Sequence, residues 1–222
     1  MCGRYALIKD EQLRTRYDKP FIGGYALNPR YNIAPTQHAP VITSAGIEIM
    51  RWGLMPAWLK DPRASFSMIN ARAENLLERP AYRDLIASHR CLVPASGFYE
   101  WQDVPGGKQP YYVFVKDSPL ISFAGLYTER RDAEDQIVKS FTIITTEPNE
   151  LVGKIYNRMP VIFDQEEEVN WLDESLTDPG DVLPMLDAYP AALMDMYPVG
   201  AQVGNVRNDS PSLIELETNP KS

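Results

Sequence analysis

The sequence predicts an α+β fold, with a single domain built on a largely antiparallel β-sheet or barrel and helices at its periphery. Short segments rich in Val, Ile, Phe, Tyr and Thr recur along the chain, as strands require. Gly and Pro separate these segments at intervals of roughly 10 to 20 residues. Candidate strands outnumber candidate helices and do not alternate with them, which favours antiparallel pairing over a parallel α/β sheet.

The candidate strands are apolar or aromatic runs that lie between turn residues. In chain order they are residues 5–8, 40–43, 47–52, 90–94, 98–101, 111–115, 120–126, 140–145, 160–163 and 193–198. Residues 103–108 contain Pro-Gly-Gly between two of these segments. Because such residues supply the backbone angles of tight turns, this loop is predicted to close a hairpin.

Helical periodicity is weaker. Candidate helices are residues 11–17, 83–89, 149–155, 166–172 and 182–188. The fourth has a start signal, because Asp164 is a good N-cap and Glu167 follows it three residues later. Trp171 and Leu172 then fall on its inner face.

Length and composition are ordinary for a soluble globular protein. The chain has 222 residues, 44% of them hydrophobic and 23% charged, which is enough to bury a core without staples. No apolar run is long enough to span a membrane, and the N-terminus lacks the pattern of a signal peptide. No repeat or linker divides the chain, so one domain is predicted over residues 1–222, with an acidic tail from about residue 209 that is expected to be disordered.

Cysteine and histidine are scarce, with only Cys2, Cys91, His38 and His89. Two cysteines cannot build a disulfide framework or a cysteine-based zinc site, and a reducing cytoplasmic setting is the default expectation. A two-histidine metal site is not expected either, and no cofactor is predicted. Cys91 lies in an apolar strand segment, where a small buried hydrophobic residue is the usual role.

The net charge of −8 argues against a general nucleic-acid binder, which normally has a basic surface. The charge is unevenly distributed, however. Residues 1–110 carry 14 Lys and Arg against 10 Asp and Glu, whereas residues 111–222 carry 8 against 20. Two interpretations stay open: a local basic groove built from the first half, or a chance asymmetry around one solvated acidic helix start.

The chain opens with Met1-Cys2-Gly3-Arg4-Tyr5. Removal of Met1 would leave Cys2 with both an α-amine and a thiol. The amine, with an ordinary pKa of about 7.7–8.0, is partly neutral near pH 7 and condenses with aldehydes to a Schiff base. The thiol then attacks the imine carbon and closes a five-membered thiazolidine ring. From its position alone, Cys2 is more often an incidental residue.

Six further segments change that assessment when they are read in order with the N-terminus. They are Arg30-Tyr31-Asn32-Ile33-Ala34-Pro35, Trp52-Gly53-Leu54-Met55-Pro56 with Trp58, Asn70-Ala71-Arg72-Ala73-Glu74, Gly97-Phe98-Tyr99-Glu100-Trp101, Arg158-Met159-Pro160 and Val203-Gly204-Asn205-Val206. This ordered set resembles the SOS-response-associated peptidase (SRAP) family, the abasic-site processing proteins. The resemblance runs from Cys2 to about Asn208 and implies the SRAP fold.

The resemblance implies a catalytic set. Cys2 would form a thiazolidine with the ring-opened sugar of an abasic site in single-stranded DNA, as part of the DNA damage response. Asn70 would position the sugar and the amine, since an amide donates and accepts hydrogen bonds without titrating. Glu100 would move protons during ring opening and loss of water. Outside the family context, Asn70 is also compatible with a turn or cap, and Glu100 with a solvated carboxylate at a strand end.

The resemblance also implies a set of DNA-binding residues. Arg4, Arg72 and Arg158 match positions that grip phosphates, a role that suits the forked guanidinium. Thr145 falls near the same site and is predicted to contact phosphate. Trp58 matches an aromatic residue that stacks or wedges against a base, although a core position is the alternative.

One position departs from the family pattern. The family has Ile-His-x before Arg-Met-Pro, whereas this chain has Ile155-Tyr156-Asn157. In the family the histidine assists ring opening and reversal of the crosslink. A phenol, with an ordinary pKa of about 10, moves protons poorly near pH 7. The hypothesis is that this chain crosslinks DNA and reverses the crosslink slowly; a decayed or specialised paralogue is the alternative.

Two other functions compete with covalent capture of DNA. The first is a cysteine peptidase, either acting on other proteins or cleaving itself to expose Cys2, which would place the chain among hydrolases or lyases with a cysteine nucleophile. Neither His38 nor His89 lies in a recognisable partner motif. The second is a non-catalytic module that binds single-stranded or modified DNA. A complex that survives denaturant would exclude this second function.

Overall fold

A computed structural model describes residues 2–24, 26, 28–59 and 61–220. Met1 lies outside them, so the predicted removal of Met1 stays a prediction. Numbered in chain order, the strands are β1 (Tyr5–Leu7), β2 (Arg30–Ile33), β3 (His38–Ile42), β4 (Ile47–Trp52), β5 (Asn70–Arg72), β6 (Arg90–Ala95), β7 (Gly97–Val104), β8 (Gly107–Val115), β9 (Ile121–Arg131), β10 (Ile137–Thr146), β11 (Met159–Pro160), β12 (Ile162–Phe163) and β13 (Met194–Pro198).

The strands form two sheets. The first is antiparallel throughout, in the order β13-β8-β7-β1-β2. The second has the order β11-β10-β4-β3-β6-β9-β12, and pairing between β9 and β10 closes five of its strands into a barrel. Only β4 and β5 run parallel to their neighbour β10 in the described chain. The predicted α+β class with a largely antiparallel barrel is therefore confirmed.

The helices are short and peripheral: α1 (Leu13–Tyr17), α2 (Pro80–Arg83), α3 (Gln165–Leu172) and α4 (Pro179–Val182). The predicted start of α3 is confirmed, because Asp164 accepts from the backbone N–H of Glu167 while the Glu167 side chain accepts from that of Asp164. Trp171 is buried and its indole N–H donates to the carbonyl of Cys91. Within the described part of the chain, no helix is long and apolar enough to cross a membrane.

Three predicted helices are wrong in extent. The helix expected at residues 83–89 instead occupies Pro80–Arg83, because a proline favours the first helical position, and turns follow it. The helix at residues 149–155 is only a 3-10 turn, Val152–Lys154. The helix at residues 182–188 is also a 3-10 turn, Leu183–Met185, after α4, since Pro184 has no N–H to continue it.

All predicted strands are present. Residues 47–52 match β4 at both ends, residues 160–163 divide into β11 and β12, and the other strands have shifted ends, whereas β2 and β5 are additional to the prediction. Both are short and carry polar residues, so their own sequences do not indicate strands. The predicted hairpin turn is confirmed: Val104 pairs with Gly107 across Pro105 and Gly106. Gly106 and Gly107 have φ angles of +81° and +135°, which residues with side chains rarely adopt.

The barrel interior is filled by aromatic and aliphatic side chains. Tyr5, Trp52, Phe123 and Phe141 are all fully buried, and Tyr5 meets Trp52 and Phe123 edge to face. Trp52 is thus a core residue, as predicted. Cys91 is also fully buried, as predicted.

A second apolar cluster covers the other face of the first sheet. Its buried members are Ala6, Tyr99, Tyr112, Val199, Val203 and Leu213. Since side chains alternate along a strand, Tyr5 faces the barrel while Ala6 faces this second cluster. The chain just after Cys2 is therefore held on both faces.

The segment expected to be a disordered acidic tail lies against this second cluster. Leu213 is buried, Val199 bridges to Leu216, and the N–H of Glu217 donates to the carbonyl of Pro198 at 2.9 Å. The segment is packed as far as Glu217. The assignment of residues 1–222 to one domain stays a prediction.

Candidate functional site

Backbone pairing fixes the position of Cys2. Tyr5 pairs with Phe98, and the N–H of Tyr99 donates to the carbonyl of Arg4 at 2.9 Å. Continuing this antiparallel register brings Glu100 opposite Gly3, beside the start of the chain. Cys2 itself is fully buried.

Asn70 holds Cys2 from another element. Its side-chain N–H donates to the carbonyl of Cys2 at 2.9 Å. Asn70 begins β5, which runs parallel to the barrel strand β10, and the Tyr82 hydroxyl donates to its carbonyl at 3.4 Å. The Asn70 Oδ1 atom is buried and has no hydrogen-bond partner among the described residues. Because buried acceptors are normally satisfied, this oxygen can accept from a ligand hydroxyl or amine next to Cys2.

Glu100 is the buried carboxyl of the site, with 3% of its surface exposed. Burial raises its pKa to about 7, although neighbouring positive charge, including that of Lys108, acts in the opposite direction. A carboxyl with this pKa both gives and takes protons near neutral pH. Glu100 is therefore a buried carboxyl and not a solvated carboxylate at a strand end, and its predicted role in proton transfer stays a prediction.

The Cys2 thiol is kept in its protonated form. Burial raises the pKa of the thiol far above its ordinary value, and the charge of Glu100 raises it further. The sulfur lies 4.0 Å from the carbonyl of Arg4, the geometry of a weak S–H hydrogen bond. Cys2 is thus not a preformed thiolate, unlike the nucleophile of a cysteine peptidase.

Two cavities are lined by the side chains that neighbour Cys2. The Asn70 pocket, of about 500 Å³, is lined by Trp58, Ser67, Met68, Asn70, Arg72, Asn75, Arg79, Pro80, Ala81 and Tyr82. The Glu100 pocket, of about 370 Å³, is lined by Arg4, Glu100, Trp101, Lys108, Tyr156 and Gly204. Each pocket contains one of the two side chains that act on Cys2, and the two share no lining residue.

The rim of the Asn70 pocket carries the predicted stacking and phosphate groups. Trp58 is 59% exposed, so the alternative interpretation of Trp58 as a core residue is wrong. Arg72 is exposed at the end of β5, two residues from Asn70. An exposed indole beside an exposed guanidinium is the combination that holds single strands by stacking and charge.

Arg158 and Thr145 lie behind this rim. The guanidinium of Arg158 forms a two-pronged ion pair with Glu74, at 2.8 and 3.0 Å, and also donates to the carbonyl of Thr145 at 2.6 Å. Arg158 is 8% exposed, and Thr145 is fully buried. A phosphate can reach Arg158 only if Glu74 moves away, so the predicted phosphate contacts of Arg158 and Thr145 stay predictions.

Arg4 is committed to internal contacts. It donates to Asn32 Oδ1 at 2.8 Å, to the carbonyl of Val203 at 2.7 Å and to that of Gly204 at 3.4 Å. Its guanidinium also lies 5.8 Å from the centre of the Trp101 ring. In this arrangement Arg4 fastens the C-terminal segment to the wall of the Glu100 pocket. The predicted phosphate contact of Arg4 stays a prediction.

Tyr156 is half-buried, packs against the barrel core and lines the same pocket as Glu100. Other lining residues are missing from the sequence-based prediction. Arg79 lies just before α2 and Tyr82 lies within it, and the predicted start of this helix is too late in the chain. Lys108 follows the glycine turn that the sequence does indicate, but nothing in the sequence shows that the hairpin brings it beside Glu100.

A resident metal has no evident ligand set in the described residues, because no group of three or more His, Cys, Asp or Glu side chains converges there. His38 is exposed on β3, and the ring of His89 packs against Tyr127 at 5.1 Å.

Comparison with known proteins identifies the family. The model of the SOS response associated peptidase (SRAP) family matches residues 1–206. Abasic site processing protein YoqW of Bacillus subtilis is 40% identical, over 97% of this chain and 99% of its own. Abasic site processing protein HMCES of Gallus gallus is 32% identical, over 98% of this chain and 78% of its own. A crystal structure of a protein from Bacteroides thetaiotaomicron matches with a TM-score of 0.89 and 30% identity, covering 97% of this chain and 100% of that one. The chain belongs to the SRAP family.

Proposed function

We propose that this protein captures abasic sites in single-stranded DNA by forming a covalent thiazolidine with Cys2, after Met1 has been removed, and so shields the lesion during the DNA damage response. The observation that supports the proposal is that two side chains act on Cys2. Asn70 donates a hydrogen bond to the carbonyl of Cys2, and the charge of the buried Glu100 raises the pKa of its thiol. The names of the relatives, abasic site processing proteins, supply the substrate class.

The reaction balances without a cofactor. The α-amine of Cys2 adds to the aldehyde of the ring-opened sugar, and loss of one water gives an imine. The thiol then adds across the C=N bond: a C–S bond forms at the former aldehyde carbon, and the thiol proton ends on nitrogen. Intact nucleotides present no aldehyde, so selectivity comes from the chemistry.

The pKa values support this order of steps. A thiol that is protonated near neutral pH does not attack first, which leaves the amine to make the first bond. Glu100, with a pKa of about 7, can protonate the departing hydroxyl as water leaves and then accept the thiol proton during ring closure. The free acceptor Oδ1 of Asn70 is placed to orient the sugar or the amine beside it.

Single-stranded substrate is supported by the shape of the Asn70 pocket. Trp58 projects from the surface next to Arg72 and Arg79. An unpaired base can stack on this indole while its phosphates meet the guanidinium groups. Within a duplex the same base would be stacked and paired already.

Tyr156 bears on how long the adduct lasts. It lines the Glu100 pocket, and the resemblance to the family implies a proton-shuttling histidine at this position. A phenol still donates a hydrogen bond to a sugar oxygen, but it exchanges protons poorly at neutral pH. Slow reversal of the crosslink is therefore part of the proposal.

Removal of Met1 requires hydrolysis of one peptide bond, which is the peptidase step that the proposal needs. Self-cleavage would take place at the same site, because the carboxyl of Glu100 lies close enough to Cys2 to act on its thiol. Cleavage of other proteins is not favoured, because the thiol lacks a histidine base in the described site and is held protonated.

A denaturing gel tests the proposal. The protein is mixed with a single-stranded oligonucleotide that carries one abasic site, and intact mass confirms that Met1 is absent. We expect a shifted band that survives denaturant and is missing for Cys2→Ala. A shifted band only under native conditions would favour a non-covalent DNA-binding module and overturn the covalent mechanism.

A further inference from the structure

The Glu100 pocket has to accommodate DNA if the proposed function is correct. An abasic sugar held at Cys2 has a nucleotide on each side, and an extended strand carries these in different directions. The Asn70 pocket and the Glu100 pocket are separate cavities: the first is lined by the side chain that holds the carbonyl of Cys2, and the second by the carboxyl whose charge acts on the Cys2 thiol. Each cavity therefore offers room for one neighbouring nucleotide.

The two pockets differ in the cations that they offer to a phosphate. In the Asn70 pocket, Arg72 is exposed and Arg79 is exposed too. In the Glu100 pocket, Arg4 already donates to Asn32 and to the carbonyls of Val203 and Gly204. Of the described residues that line this second pocket, Lys108 is the other cation.

Lys108 is available for a ligand. Its ammonium lies 3.2 Å from Asp103 across the end of the β7–β8 hairpin, and 60% of the Lys108 side chain and 83% of that of Asp103 are exposed. An ion pair this exposed contributes little and gives way to a stronger partner. The tight turn at Gly106 and Gly107 fixes the backbone beside Lys108, while its long stem lets the ammonium adjust.

We propose that Lys108 binds the DNA phosphate on the Glu100 side of the lesion, and so holds the strand in the second pocket while Cys2 reacts. This inference rests on the proposed function. It assigns a substrate-binding role to a residue outside the family motifs in the sequence, and it divides phosphate binding between Lys108 on one flank and Arg72 on the other.

Lys108 also has an electrostatic effect that gives an independent measurement. Its positive charge lowers the pKa of Glu100 against the larger effect of burial. Loss of that charge should move the pH dependence of crosslinking to higher pH. Lys108→Arg keeps the charge and should keep the profile, whereas a change that only loosened the hairpin would affect both variants alike.

The experiment uses two oligonucleotides in which the abasic site lies next to the 5′ end or next to the 3′ end, so that the strand extends on one side only. Crosslinking rates are measured for the wild type, Lys108→Gln, Lys108→Arg and Arg72→Gln. Lys116→Gln is the matched control, because Lys116 is exposed and follows the opposite end of β8. Binding of the same strands with a tetrahydrofuran analogue, which has no aldehyde, is measured by fluorescence anisotropy.

We expect Lys108→Gln to slow crosslinking roughly tenfold on one oligonucleotide and less than about twofold on the other, the size of one lost charge-assisted hydrogen bond. Arg72→Gln should have the opposite preference, and Lys116→Gln should affect neither. Equal effects of Lys108→Gln and Lys116→Gln on both strands would overturn the proposal. If the wild type forms no adduct, the proposed function fails, and the anisotropy series with the tetrahydrofuran strands still decides whether Lys108 binds phosphate.

Discussion

Replacing Glu100 with Gln should change how the stability of the protein depends on pH. The pKa of Glu100 is about 7 in the folded protein, against 4.5 for an ordinary glutamate. The folded state thus holds the proton more tightly than the unfolded state does. By linkage, the contribution of Glu100 to stability is fully present below about pH 4.5 and falls as the pH rises towards 7.

The size of this effect follows from the shift. One pKa unit corresponds to about 1.4 kcal/mol, so the shift amounts to about 3 kcal/mol between pH 4.5 and pH 7. Because only 3% of Glu100 is exposed, screening by solvent reduces this free energy only slightly. Gln has nearly the same shape and does not titrate, and this part of the pH dependence disappears in the variant.

Urea unfolding of the wild type and of Glu100→Gln, followed at several pH values between 4.5 and 8, measures the difference directly. Other carboxyl groups contribute equally to both proteins and cancel. Intact mass confirms that the two preparations have the same N-terminus. We expect the free energy of unfolding of the wild type to fall by about 3 kcal/mol relative to the variant across this range. Parallel curves would refute the reasoning about the buried carboxyl.

Four further results are expected. Tyr156→His should speed release of DNA from a purified adduct; equal release rates would contradict the proposed role of Tyr156. Asn70→Ala should slow crosslinking by about 10²-fold in a single-turnover gel assay, because the reacting groups lose their orientation, whereas unchanged rates would leave Asn70 a structural residue. Trp58→Ala should weaken binding to single strands by about 1–3 kcal/mol in anisotropy titrations and leave the thermal unfolding midpoint unchanged, as expected of an exposed ring. Glu74→Gln should lower the free energy of unfolding at pH 7 by about 1–2 kcal/mol. Because Arg158 lowers the pKa of Glu74 in the folded protein, this difference between the two proteins should vanish as the pH falls through the lowered pKa.

The fold was predictable because its long strands can be recognised from their own sequences. Strands such as β4 and β9 carry many β-branched and aromatic residues. The α+β class followed from the large number of such strands and from the lack of helices alternating with them. The exceptions were β2 and β5. Asn70-Ala71-Arg72 is a strand only because β10 offers it a parallel partner, and that is a property of the tertiary structure.

For the candidate site, the sequence indicated which residues would lie close together but not which partners each side chain would contact. Family motifs pointed to Cys2, Asn70 and Glu100, and the structure brings all three together. The same motifs presented Arg4 and Arg158 as free phosphate ligands. Whether an arginine is free depends on its partners, and those lie up to 200 residues away in sequence, as with Arg4 and Gly204.

Lys108 shows the converse case. It has no distinctive sequence pattern, and its position beside Glu100 results from the length of the hairpin and the path of β7 next to β1. Electrostatic environments of this kind arise from packing between distant segments. A pKa of about 7 for Glu100 likewise follows from burial, which no local sequence feature records.

The central claim is that Cys2 forms a thiazolidine with an abasic site. Mass spectrometry of the purified adduct, with and without borohydride, tests this most directly. We expect a mass equal to protein lacking Met1 plus DNA minus one water, a crosslink that maps to Cys2, and no change on borohydride treatment because a closed ring has no imine to reduce. A gain of two hydrogens, or a crosslink at any other residue, would contradict it.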